Sequence, residues 1–166
     1  MDIAGVQNLN NVFAKIKDRF DEQNPYGLVC KQGFYKDCCV LKLQRASWTN
    51  DPMDQVQNET GIFFSVWANA ELLWTNRIIY DIHALKLRQL KGYAITSREF
   101  ATDFRERFEC TRGDWPNVRV DYGPVTLMKG WIGSELDLPG NDILVLMERF
   151  GRLSPLIDSL LESRRR

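Results

Sequence analysis

The chain has 166 residues, with 22 basic and 22 acidic side chains, one histidine and four cysteines. That length fits one α+β domain over residues 1–166, able to bury roughly 70% of the surface its unfolded chain exposes without a disulfide or metal to hold it. A formal net charge of zero disfavours a dedicated nucleic-acid binder, and an apolar content of 44% excludes a chain disordered throughout.

No basic stretch followed by an apolar run and a cleavage site opens the sequence. The most apolar stretch, 62–74, is too short for a membrane span and is interrupted by Asn69 and Glu71. The expectation is therefore a cytoplasmic protein with reduced thiols and no membrane association. Val6, Leu9, Phe13, Ile16 and Phe20 recur at gaps of three and four, which predicts an amphipathic helix over 3–22. Pro25 ends it by disfavouring helix at the preceding residue.

Two strands follow, over 28–35 and 39–46; in the second, Cys39, Leu41 and Leu43 alternate with Val40, Lys42 and Gln44. Residues 48–58 are polar and read as a loop, and 61–68, rich in Phe, Val and Trp, reads as a buried strand. Residues 78–91 fit either a strand, which Ile78-Ile79-Tyr80 favours, or a helix, which the Leu, Lys, Arg and Gln residues favour; taken as a strand, they turn Lys86 and Arg88 to one face and His83, Leu85 and Leu87 to the other. A helix over 97–109 carries Phe100, Phe104 and Phe108 on one side, with Thr96 and Glu99 at capping-box spacing. Val118, Val120 and Tyr122 alternate with Arg119 and Asp121 as a half-exposed strand would, and 125–132 suggests another. A helix over 142–150 is interrupted at Gly151, and Ser154-Pro155 looks like the cap and first position of a second one. The order predicts an α+β fold: a mainly antiparallel sheet with an N-terminal helix, a central helix at about 97–109 and a C-terminal helix pair on one face.

Chemistry-bearing patterns are sparse. Cys30, Cys38, Cys39 and Cys110 lack the close pairing of a structural zinc site, no phosphate-binding glycine loop occurs, and no cofactor is implied. Between Arg77 and Arg98 five basic residues face one acid, Asp81. On a strand, Lys86 and Arg88 would project about 7 Å apart and suit an anionic ligand or an acidic partner. Trp131 and Tyr122 are candidates for a recognition concavity, as aromatic side chains that combine area with a polar handle. A hydrolase or nuclease would need His83 with Asp121, Glu135 or Asp137. An RNA or single-strand binder would use the basic stretch 77–98 with its aromatics.

Several segments in order carry a resemblance: Gly33-Phe34-Tyr35-Lys36, then Val40-Leu41-Lys42-Leu43-Gln44-Arg45-Ala46-Ser47, then Thr60-Gly61-Ile62-Phe63, with His83 and Arg88 further on. Over about residues 8–133 the chain resembles the bacterial family known as domain of unknown function 4304. The resemblance implies a small α+β cytoplasmic protein and assigns no catalytic residue. The leading expectation is a non-enzymatic binding or protein-interaction domain using Lys86 and Arg88 with His83, or the Trp131 and Tyr122 region, to hold a protein partner or a small anion.

Overall fold

The computed structural model describes residues 3–57, 59–134 and 139–166. Helix α1 (Ile3–Glu22) leads into strands β1 (Val29–Tyr35), β2 (Cys38–Gln44) and β3 (Gly61–Ala68). A short helix α2 (Ala70–Trp74) precedes β4 (Arg77–Leu85), then come α3 (Ser97–Phe108), β5 (Thr126–Gly133) and α4 (Pro139–Glu162). The strands pair in chain order, β1-β2-β3-β4-β5, and every pairing is antiparallel. The expected α+β class and antiparallel sheet are therefore present.

Strand alternation decides which face the helices cover. Leu41, Leu43, Ile62, Phe64, Val66, Ile78, Tyr80 and Ile82 are all buried in one core. They share it with Leu9, Phe13, Ile16 and Phe20 of α1, with Phe100, Phe104 and Phe108 of α3, and with Ile143, Met147 and Phe150 of α4. Phe150 sits among aromatic rings, stacked on Phe64 at 4.6 Å and tilted against Trp115 at 5.1 Å. Helix α4 touches both α1 and α3. The opposite sheet face receives no helix from this core, which leaves it for the site described below.

The C-terminal pair proves to be one continuous helix. Pro155 has no N–H to give the Gly151 carbonyl one turn back. The Ser154 hydroxyl donates to that carbonyl instead, at 2.6 Å, and Arg45 in turn donates to the hydroxyl at 3.1 Å. Gly151 is a site of close approach: a Cβ there would stand 2.2 Å from Cδ2 of Tyr26. Other departures have similarly local causes. Strand β4 stops at Leu85 because Lys86 takes a left-handed backbone (φ 47°, ψ 48°), and the turn that follows drives Leu87 and Leu90 into the core. Residues 118–122 form no strand; only Arg119 bridges to Lys129. Helix α2 escaped the periodicity reading because it is a single capped turn, with the Asn69 side chain accepting from the Leu72 N–H at 2.9 Å.

Gly151→Ala should destabilise the protein by about 1–3 kcal/mol through overpacking against Tyr26, and Ser154→Ala by about 1 kcal/mol through the orphaned carbonyl. Urea unfolding followed by circular dichroism checks both.

Candidate binding face

The face away from the helices carries Val40 and Lys42 of β2, Phe63, Ser65 and Trp67 of β3, Ile79, Asp81 and His83 of β4, and Lys129 and Trp131 of β5. Register lines up Lys42, Ser65, Asp81 and Lys129 across four strands, and Val40, Trp67, Ile79 and Trp131 in the next row. This is the polar side of strands whose other residues make the core, so one alternation produces both.

Asp81 is the centre of this face. Only 1% of its surface is exposed, and a bare carboxylate in that position would be costly. Three donors hold it: the Ser65 hydroxyl, the Trp67 indole N–H at 3.0 Å and the His83 Nε2 at 3.2 Å. Burial alone would raise its pKa, but the charge of His83 and these hydrogen bonds outweigh that and hold it below the ordinary 3.8. For His83, burial pulls the other way and is outweighed by the charge and hydrogen bond of Asp81, helped by the backbone of Val125. Its pKa is raised above 6.5. The other ring nitrogen, Nδ1, lies 3.5 Å from the Thr126 hydroxyl. Both ring nitrogens thus have a partner, and Asp81 favours the protonated ring.

The polar loop 49–60 lies against the β1–β2 side of the face. Lys31 donates to the carbonyl of Pro52 at 2.5 Å and to that of Asp54, and the Thr49 hydroxyl donates to the Thr60 carbonyl at 2.9 Å. Val56 is buried above Gly33, where a Cβ would meet it at 3.4 Å. Lys42 is fully buried, its ammonium 5.7 Å from the Phe63 ring centre. Burial, and then the neighbouring Lys31, push its pKa down to about 8. Between loop and sheet runs a groove of about 1010 Å³. Phe34, Tyr35, Val56, Phe63, Trp67 and Leu85 supply its apolar lining, with Ser65 and His83 on the floor and Asp51, Asp54 and Glu59 on the loop. Phe34 and Tyr35 remain 49% and 42% exposed, and the Lys36 ammonium lies 5.4 Å from the Tyr35 ring centre.

On the β4–β5 side, Trp131 carries the Arg77 guanidinium 4.4 Å above its ring, and Trp67 carries the Lys129 ammonium at 5.6 Å. Of the residues singled out from sequence, His83 and Trp131 thus belong to this face. Lys86 and Arg88 do not. They are exposed on the turn after β4, beside a separate depression of about 600 Å³ at the start of α3. Asp103 pairs with Arg164 at 3.1 Å and Asp81 with His83, so neither acid neutralises them. Tyr122 is also exposed, and its carbonyl accepts from Arg105 at 3.1 Å. Asp121 pairs with Arg119 at the surface and is not part of the groove. Glu135 and Asp137 lie outside the described residues. Sequence reading missed Ser65, Trp67 and Asp81 as a unit. The available signal was one acid, Asp81, inside the otherwise apolar run 78–82.

Among the described residues no group of three or more histidine, cysteine, aspartate or glutamate side chains could hold a metal ion, and no helix is long and apolar enough to cross a membrane. Burial raises the thiol of Cys38, at the groove edge, to about 11 and those of Cys30 and Cys39 to about 12, which leaves all three as thiols at neutral pH. No family model, curated protein or solved structure matches the chain.

The coupled pair predicts a pH dependence. The lowered pKa of Asp81 contributes stability above 3.8 that is lost as pH falls through its folded value. The raised pKa of His83 contributes stability below 6.5 that is lost as pH climbs through its folded value. The excess stability of wild type over Asp81→Asn should therefore peak between pH 3.8 and 6.5 and shrink on either side, measured by urea titrations across pH.

Proposed function

We propose that the chain is a non-enzymatic binding domain whose site is the groove between loop 49–60 and the open sheet face. The observation that carries this reading is the pairing of an aromatic-lined groove of about 1010 Å³ with a floor whose polar atoms are already satisfied. Ligand sites combine apolar walls with a few fixed polar groups in this way. Catalysis finds less support in the same residues. Asp81 is enclosed, and Cys38 stays protonated at neutral pH. The exposed Phe34 and Tyr35 at the mouth favour a protein segment as occupant, since aromatic side chains are enriched at interfaces.

The test is a thermal-shift screen of short peptides, nucleotides and small anions against wild type, Phe34→Ser/Tyr35→Ser and Lys86→Ala/Arg88→Ala. A ligand at a hundred times its Kd adds about 2.7 kcal/mol of stability. The expected result is a stabilising ligand whose effect is lost in the Phe34/Tyr35 variant and kept in the Lys86/Arg88 variant. The reverse pattern would move the site to the turn after β4.

A further inference from the structure

The charges of the open face bear on what occupies it. On the groove side Asp51, Asp54 and Glu59 of the loop share the lining with Lys36 and His83. On the β4–β5 side the charges are Arg77 and Lys129, each laid over a tryptophan. The other charged groups there are already matched: Asp81 by His83 and Arg119 by Asp121. Among the described residues no carboxylate pairs with Arg77 or Lys129. A guanidinium stacked on an indole is held in place with the N–H donors along its edge still free, which suits the two oxygens of a carboxylate. Tryptophan and arginine are also the side chains that most often anchor an interface. Register places this group beside the groove and continuous with it, since Trp67 lines the groove and shares a row with Ile79 and Trp131.

From this juxtaposition, and resting on the binding-groove reading, we infer that the occupant is an extended segment of a partner protein. Its apolar part lies in the groove between Tyr35, Phe63 and Trp67, and its acidic part meets Arg77 and Lys129. A nucleic acid is the weaker match. Two cations give few phosphate contacts, whereas affinity for a phosphate backbone is built from many, and the chain as a whole carries no net charge.

The probe is a short peptide with leucines in its first half and glutamates in its second, beside a version with lysine in place of glutamate and a single-stranded RNA. Binding is followed by NMR on the indole N–H signals of Trp67 and Trp131. The acidic peptide should shift both signals and weaken as salt rises. Its affinity should fall about ten-fold or more, equivalent to about 1.4 kcal/mol, in Arg77→Gln/Lys129→Gln. Arg77→Lys keeps the charge but loses the planar fork, and should fall in between while keeping the wild-type Tm. The lysine peptide should not bind. Equal binding of both peptides, or acidic binding unchanged by Arg77→Gln/Lys129→Gln, overturns the charge assignment. Loss of that binding in Phe34→Ser/Tyr35→Ser would still leave the groove standing. RNA binding at Arg77 and Lys129 more tightly than the acidic peptide, or no response to any probe, overturns the inference as well.

Discussion

The buried carboxylate of Asp81 is the constraint around which the open face is arranged. It sits in the central part of β4, where water cannot reach it, and it persists as a charged group only because β3 and β4 bring three donors to it. Ser65 and Trp67 are two residues apart on one strand, and Asp81 and His83 are two apart on the next. Antiparallel register then closes the cluster. Each side chain is thereby fixed. The indole of Trp67 is oriented by its N–H, the imidazole of His83 by its partners on both sides, and the ring of Phe63 lies 5.1 Å from that imidazole. A binding surface gains from such rigidity because little freedom is left to lose on association.

A second consequence is the division of labour between the two sheet faces. The helix-covered face is filled by aliphatic and aromatic side chains and is closed by α1, α3 and α4. The open face is covered only in part, by a loop pinned through Lys31 to β1. That partial cover turns a flat sheet into a groove.

Local patterns made much of the fold legible in the sequence, and longer-range ones did not. The spacing of Phe13, Ile16 and Phe20 and that of Phe100, Phe104 and Phe108 marked helices α1 and α3, and the alternation around Leu41 and Leu43 marked β2. Gly151 and Pro155 misled the reading of the C-terminus. Glycine can interrupt a helix or admit a neighbour, and only the presence of Tyr26 decides between these. The proline's missing donor is replaced by a hydroxyl one residue away. Lys86 and Arg88 were misplaced because a left-handed residue ended the strand early; alternation alone carries no signal for such a stop. The site itself was half visible. His83 and Trp131 stood out by type, whereas the joining of Ser65, Trp67 and Asp81 depends on a pairing register that residue patterns do not specify.

His83 is the only histidine in the chain, so its ring gives an unambiguous NMR signal. The most direct test of this account is the titration of its two nitrogens, followed by their ¹⁵N shifts across pH. The account predicts a midpoint above 6.5, because the Asp81 carboxylate stabilises the protonated ring. A midpoint at or below 6.5 would contradict it, since the Asp81–His83 pair would then not be the charged contact around which the open face is arranged.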